Sequence, residues 1–351
     1  MKGKLFLVAL FFFLVFGGLC FPVLERGPEA ATAAAGKYLQ QVIEGAKREK
    51  QVIFGFALED READALFAPF LKRYPFLKLD YRSVSGLEER ERILAETKAG
   101  VYEWDALYIN PEIVPRFKEA GVLMGSVRWS ELGIDKKFVA PDGFSVVVGG
   151  AAYGIAYNPK LVPAARVPKK WEDCLDPYWK GKMLVDVRPR PFAPLYLYWG
   201  EKRALDYARK LAANGPVWTR GQGPLTRLGA GEFAIFCGVY YNNAMTLKEK
   251  GGDVEFVFAA PVSARTWATI YVFKGAKHPN SALLLASFLA TEGQKLMDAG
   301  HRGSPLFPGS ELYKLVQGKE GKVAEWELFG TEPMIVKKIV EAYGFPKAIA
   351  K

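Results

Sequence analysis

Between residues 51 and 121 the chain alternates short apolar runs with amphipathic stretches, and this alternation limits the fold more than any other feature. Residues 51–56 (QVIFGF) read as a buried strand. Residues 59–74 place Leu66, Phe67, Phe70 and Leu71 on one side of a helix, with Pro69 able to bend it. Residues 77–83 (LKLDYRS) alternate as a strand does. Ser85 and Gly86 open a helix over 87–99, with Ser85 as its expected N-cap. A third strand is expected within 104–109 and a third helix at 112–120. Strands separated by helices build a mainly parallel sheet covered on both faces. A second unit of this kind starts at 183–187 and includes a helix at 201–214 and a strand at 233–239.

A chain of 351 residues is longer than a single core serves efficiently, so two lobes are expected. Hydrophobic residues make up 50% and charged residues 25%, which excludes a disordered chain. The formal charge is +10, but basic residues are interleaved with acids, as in Glu88-Glu89-Arg90-Glu91-Arg92. No nucleic-acid-binding motif accompanies them, so nucleic acid is not an expected partner. Lys2 and Lys4 precede an apolar run of 15 residues, 5–19. A spanning helix needs about 20, so the run reads as a signal peptide. Cys20 follows Leu19, where a lipoprotein signal carries a small residue; lipidation, cleavage nearby and an uncleaved anchor are the alternatives. All three put the folded part in the periplasm or outside the cell. The only cysteines are Cys20, Cys174 and Cys237, too few for a disulfide-built scaffold. Spacing does not reveal whether Cys174 and Cys237 bridge, and two buried free thiols are the expectation. With His278 and His301 as the only histidines, no zinc-like cluster can be assembled.

Four segments resemble the bacterial extracellular solute-binding proteins of family 1, the receptors of ABC importers. They are residues 51–74; Glu103-Trp-Asp-Ala-Leu-Tyr with 117–123; Tyr153-Gly-Ile-Ala-Tyr-Asn-Pro-Lys with 168–182; and 272–309 (VFKGAKHPNSALLLASFLATEGQKLMDAGHRGSPLFPG). The resemblance implies an α/β, periplasmic-binding-protein-like fold of two lobes joined by a two-strand hinge. It implies a signal peptide at 1–20, a linker and N-terminal helix at 21–47, lobe one at 48–159 and 254–299, and lobe two at 160–253 and 300–351. The chain is expected to cross between lobes at 153–168 and to return at 254–261. Such a monomeric receptor traps a small ligand between its lobes and hands it to a membrane permease.

Relatives of this kind include ferric-iron binders, which grip the metal with adjacent tyrosines after a lobe-two strand. Tyr240 and Tyr241 follow the apolar run 233–239 and match that placement, which makes them the candidate metal ligands. Phenolate oxygens suit a hard trivalent cation. Adjacent side chains on an extended segment point opposite ways, however, which leaves one tyrosine for packing. The histidine and carboxylate that such binders often add from lobe one have no counterpart in the matching loops. An anionic or polar solute is the other expectation. Arg188 and Arg190 follow the first lobe-two strand, Arg220 and Arg227 flank 221–226, and Ser85 opens a helix. Arginine recognises carboxylate and phosphate with two-pronged hydrogen bonds. The expected ligand contacts are therefore Tyr240, Tyr241, Arg188, Arg190 and Ser85, with ferric iron as cargo in one reading and no resident cofactor.

Enzyme motifs are missing. There is no Gly-x-Ser-x-Gly elbow and no Gly-x-x-x-x-Gly-Lys-Ser/Thr loop. Residues 229–231 (GAG) precede a strand, the wrong order for a dinucleotide site. A binding protein that senses without transporting shares every one of these features, whereas an exported hydrolase would need a nucleophile–base pair that the sequence does not supply.

Overall fold

A computed structural model describes residues 36–344 except 59, 85, 110–112 and 222; the expected signal peptide, Cys20, the linker up to 35 and Ser85 lie outside the described residues. Helix α1 (Lys37–Glu49) buries Val42, Ile43 and Ala46 along one face. It leads into β1 (Gln51–Phe56), α2 (Asp60–Arg73), β2 (Lys78–Ser83), α3 (Leu87–Lys98), β3 (Ala106–Tyr108) and α4 (Val114–Glu119). β1 lies parallel to both β2 and β3. Pro69 is accommodated inside α2. The N-cap of α3 is Gly86 rather than the expected Ser85: its φ of +87° suits a residue without a Cβ. β4 (Ser145–Val147) completes this half.

The chain then enters the second lobe with β5 (Gly150–Tyr157). It continues through β6 (Met183–Asp186), α5 (Ala193–Trp199), α6 (Glu201–Ala213), β7 (Val217–Thr219), α7 (Leu225–Gly229), β8 (Ile235–Tyr240), α8 (Tyr241–Glu249), β9 (Glu255–Val257) and β10 (Val262–Thr266). β11 (Thr269–Val272) returns to the first sheet, followed by α9 (Pro279–Ala290) and α10 (Gly293–Leu296). The last elements are α11 (Glu311–Val316), β12 (Gly321–Ala324) and α12 (Glu332–Ala342), in the second lobe. The sheet orders are β2-β1-β3-β11-β4 and β12-β10-β5-β8-β6-β7, with β9 against β5. The first sheet packs α1, α2 and α9 on one face; Ile93 and Leu94 of α3 and Phe117 of α4 fill the other. α9 is apolar all round and is buried nearly throughout, as that pattern requires.

The hinge lies elsewhere than the sequence suggested. β5 pairs with β8, β9 and β10, and β9 and β10 also belong to the second sheet, so 150–159 and 254–266 are parts of lobe two. The crossings are residues 147–150 and 266–269, running antiparallel side by side. Val148 N–H donates to the Ala268 carbonyl (2.7 Å) and Trp267 N–H to the Gly149 carbonyl (3.1 Å). The Pro-rich stretch 162–168, expected to form part of the crossing, is instead a surface excursion within lobe two. Glycine at 150 is required by close approach, because a Cβ there would collide with Pro305 and the Arg265 carbonyl. Residues 297–310 make a third connection, from α10 back to lobe two.

Cys174 and Cys237 form a disulfide with a Cα–Cα distance of 6.4 Å, which corrects the expectation of free thiols. The short 3-10 turn Trp171–Leu175 lies against the middle of β8, a proximity invisible in a spacing of 63 residues. No helix among the described residues is long and apolar enough to cross a membrane.

Candidate functional site

Because β1, β2 and β3 run parallel, their carboxyl ends at Phe56, Ser83 and Tyr108 share one edge of the first sheet. β6, β7 and β8 do the same in the second, ending at Asp186, Thr219 and Tyr240. Open α/β sheets bind ligands outside the carboxyl ends of their strands. The hinge joins the two edges: Trp267 packs against both lobe cores, and its ring centroid lies 5.1 Å from that of Tyr108.

Side chains hold the lobe-one edge in place. Arg90, 1% exposed, reaches from α3 and donates to the carbonyls of Gly86 (2.6 Å), Val84 (2.9 Å) and Tyr108 (3.3 Å). It thereby fastens the chain after β2 to the end of β3. The Tyr81 hydroxyl donates to the Phe56 carbonyl (3.0 Å) and accepts from Leu58 N–H (3.1 Å), fixing the exit from β1. Glu62, in the first turn of α2, pairs with Arg302 at 3.0 Å.

The lobe-two edge carries the expected arginines. Asp186, the buried last residue of β6, accepts from Arg188 N–H (3.0 Å) and from its Nε (3.3 Å) and Nη2 (3.2 Å). Arg188 is exposed and lies over Gly221. Arg190 is half-buried and opens the 3-10 turn Arg190–Phe192, which Ser263 Oγ secures by donating to the Pro191 carbonyl (2.7 Å).

The adjacent tyrosines part company. Tyr240 ends β8 on the sheet face covered by α5, α6 and α12, and meets Tyr153 edge-to-face at 4.8 Å. Tyr241 starts α8 and turns to the opposite face, 7% exposed, among Phe256, Phe258 and His301. Its hydroxyl donates to Glu311 Oε1 (2.7 Å). Burial pushes the Tyr240 phenol up, with Arg190 and Arg265 opposing the rise. Burial and then the Glu311 carboxylate raise Tyr241 as well. The two hydroxyls therefore do not converge as a chelating pair. Among the described residues no group of three or more His, Cys, Asp or Glu is arranged to hold a metal.

His301 joins this second cluster. Nδ1 is 2.7 Å from Glu311 Oε2 and Nε2 is 3.0 Å from Glu249 Oε1, a contact pair that needs N–H on both nitrogens. The hydrogen bond to Glu311 is the main reason its pKa is raised, with Glu249 adding to it.

Sequence reasoning missed Tyr153 and Arg265. Both project from hinge strands onto the face that carries Tyr240. Arg265, 1% exposed, forms an ion pair with Glu332, 2% exposed, at the start of α12. The signal was available: one arginine interrupts the otherwise uncharged run 262–273. A cavity of about 780 Å³ lined by Trp129, Lys136, Pro141 and Trp326 involves none of these residues.

Comparison with known proteins identifies the fold and the family. An uncharacterized protein of Haemophilus influenzae is 30% identical over 139 residues, which span 37% of this chain and 40% of that relative. The structure of Trichodesmium IdiA (FutA) in complex with iron and citrate superposes with a TM-score of 0.67 at 19% identity, covering 84% of this chain and 100% of that one. The Streptococcus pneumoniae spermidine/putrescine-binding protein PotD gives 0.64 at 13% identity over 86% and 100%. These likenesses establish the two-lobe fold and not the cargo. Residues 106–330 match the family described as bacterial extracellular solute-binding protein. That match covers most of the chain, including the carboxyl ends of β3, β6, β7 and β8 and both hinge strands, and the chain belongs to this family of solute-binding proteins.

Proposed function

We propose that the protein is the exported receptor of an ABC importer and that it captures a small anionic solute between the carboxyl edges of its two sheets. The observation that carries this reading is the lobe-two edge, where Arg188 and Arg190 follow the end of β6 and Tyr240, at the end of the neighbouring β8, meets the Tyr153 ring at 4.8 Å. Guanidinium groups beside phenol hydroxyls make a donor-rich surface for carboxylate or phosphate oxygens. The disulfide supports export, since such bonds persist in oxidising compartments. Solute binding drives closure only if the closed state holds the solute better than the open one; the permease then meets the closed form.

Ferric iron gripped by Tyr240 and Tyr241 together is the weaker reading. The relative with bound iron favours it. The divergence of the two side chains opposes it. Thermal-shift titration with inorganic phosphate, citrate and ferric citrate separates the two, with a visible spectrum after each ferric addition. The anion reading predicts stabilisation by phosphate or citrate without a tyrosinate-to-iron absorption band. A band lost in both Tyr240→Phe and Tyr241→Phe, with no response to the iron-free anions, reverses the assignment.

A further inference from the structure

Two buried donors beside Tyr240 have no hydrogen-bond partner among the described residues: Tyr153 Oη and Arg265 Nη2. They belong together. In the antiparallel pair β5/β10, Tyr153 is opposite Ser263 and Ala151 opposite Arg265, so Tyr153 and Arg265 are diagonal neighbours on one face. Tyr240 is the partner of Tyr153 across β5/β8. Glu332 occupies Arg265 Nη1 and leaves Nη2 for another acceptor. Buried polar groups are nearly always satisfied, so paired orphans next to a candidate ligand edge call for an acceptor.

We infer that Tyr153 Oη and Arg265 Nη2 are the inner hydrogen-bond donors of the solute site, where they take an oxygen of a carboxylate or phosphate group. This rests on the anion reading above and deepens it. An internal water is the competing acceptor. The position favours the solute, because Arg265 immediately precedes the crossing at 266–269 and Tyr153 stands three residues past Gly150. A solute held there ties occupancy to both hinge strands.

Isothermal titration with inorganic phosphate and with citrate, on wild type and three variants, tests the assignment. Tyr153→Phe removes one orphaned hydroxyl and nothing else. It is expected to leave the Tm of the free protein unchanged or higher, while weakening the anion that binds wild type by about ten- to hundred-fold. Arg265→Lys keeps a charge for Glu332 and loses the second prong, with a similar loss expected. Thr266→Val is the control: its hydroxyl is also buried and orphaned, but it follows Arg265 in the strand and so projects to the other face. Its affinity should match wild type. If neither anion binds wild type, the anion reading itself falls. If wild type binds and Tyr153→Phe binds equally well, or loses no more than Thr266→Val, the inference alone is overturned and the acceptor is a water. Should Arg265→Lys fail to fold, the Tyr153→Phe comparison still decides.

Discussion

Replacing Cys174 and Cys237 by alanine perturbs one covalent constraint in lobe two and little else. The bridge closes a loop of 63 residues between the Trp171–Leu175 turn and β8. By the chain-entropy relation a loop of that length restricts the unfolded chain by about 4 kcal/mol at 25 °C. Engineered and native bridges return about 2–4 kcal/mol of that in practice. Alanine is the right replacement because both sulfurs sit in an apolar core, where a serine hydroxyl would add a desolvation cost of its own. Guanidinium unfolding followed by far-UV circular dichroism gives the loss, read on the lobe-two transition in a chain of this size. The single variants should lose nearly as much as the double, since either one breaks the same bond. The m-value should rise, because the unfolded chain expands without its cross-link. A double variant less than about 1 kcal/mol weaker than wild type refutes the reasoning. So do two titratable thiols in denatured, unreduced wild-type protein.

Other outcomes follow from the geometry. Tyr240→Phe should weaken anion binding in a fluorescence titration, whereas Tyr241→Phe should leave affinity alone and cost about 1 kcal/mol of stability through the lost bond to Glu311; equal effects on affinity would contradict the divergence of the pair. His301 has a folded pKa raised above its ordinary value, so its contribution is complete below that ordinary value and is lost as pH rises through the folded one. The stability gap between wild type and His301→Gln in denaturant unfolding should therefore be widest near pH 5.5, about 1 kcal/mol for this partly exposed group, and should close on the alkaline side; a gap that widens with pH refutes the double ion pair. Gly150→Ala should destabilise by about 1–3 kcal/mol through overpacking against Pro305, and should alter the change in radius of gyration on ligand addition measured by X-ray scattering. An unchanged Tm would mean that the crossing has room for a Cβ.

The sheet-forming elements were legible because their physics is local. The alternation in β2 and the apolar stripe of α2 each encode one face of one element, and the structure places them within a residue or two of expectation. The hinge was not legible. Residues 150–157 look the same whether they end one sheet or begin another, because a strand buried on both faces carries no alternation to assign it. The prolines after it suggested a crossing between lobes, and the pairing with β8, β9 and β10 that decides the matter joins residues far apart in sequence. The site divided along the same line. Arg188, Arg190 and Tyr240 could be read as loop and strand-end residues after recognisable strands. Tyr241 could not be separated from Tyr240, because its direction depends on Glu311 and Phe256, donated by distant elements. Tyr153 and Arg265 gain their significance only when β5 and β10 lie side by side at the hinge.

The most direct measurement is a crystal structure of the protein grown with the anion that stabilises it in thermal-shift titration. The account predicts density for a carboxylate or phosphate group between the lobes, within hydrogen-bonding distance of Arg190, Tyr240 and the Tyr153 hydroxyl, with the carboxyl edge of β1–β3 closed over it. An anion bound away from that edge, or a metal ion bridging Tyr240 and Tyr241, would contradict it.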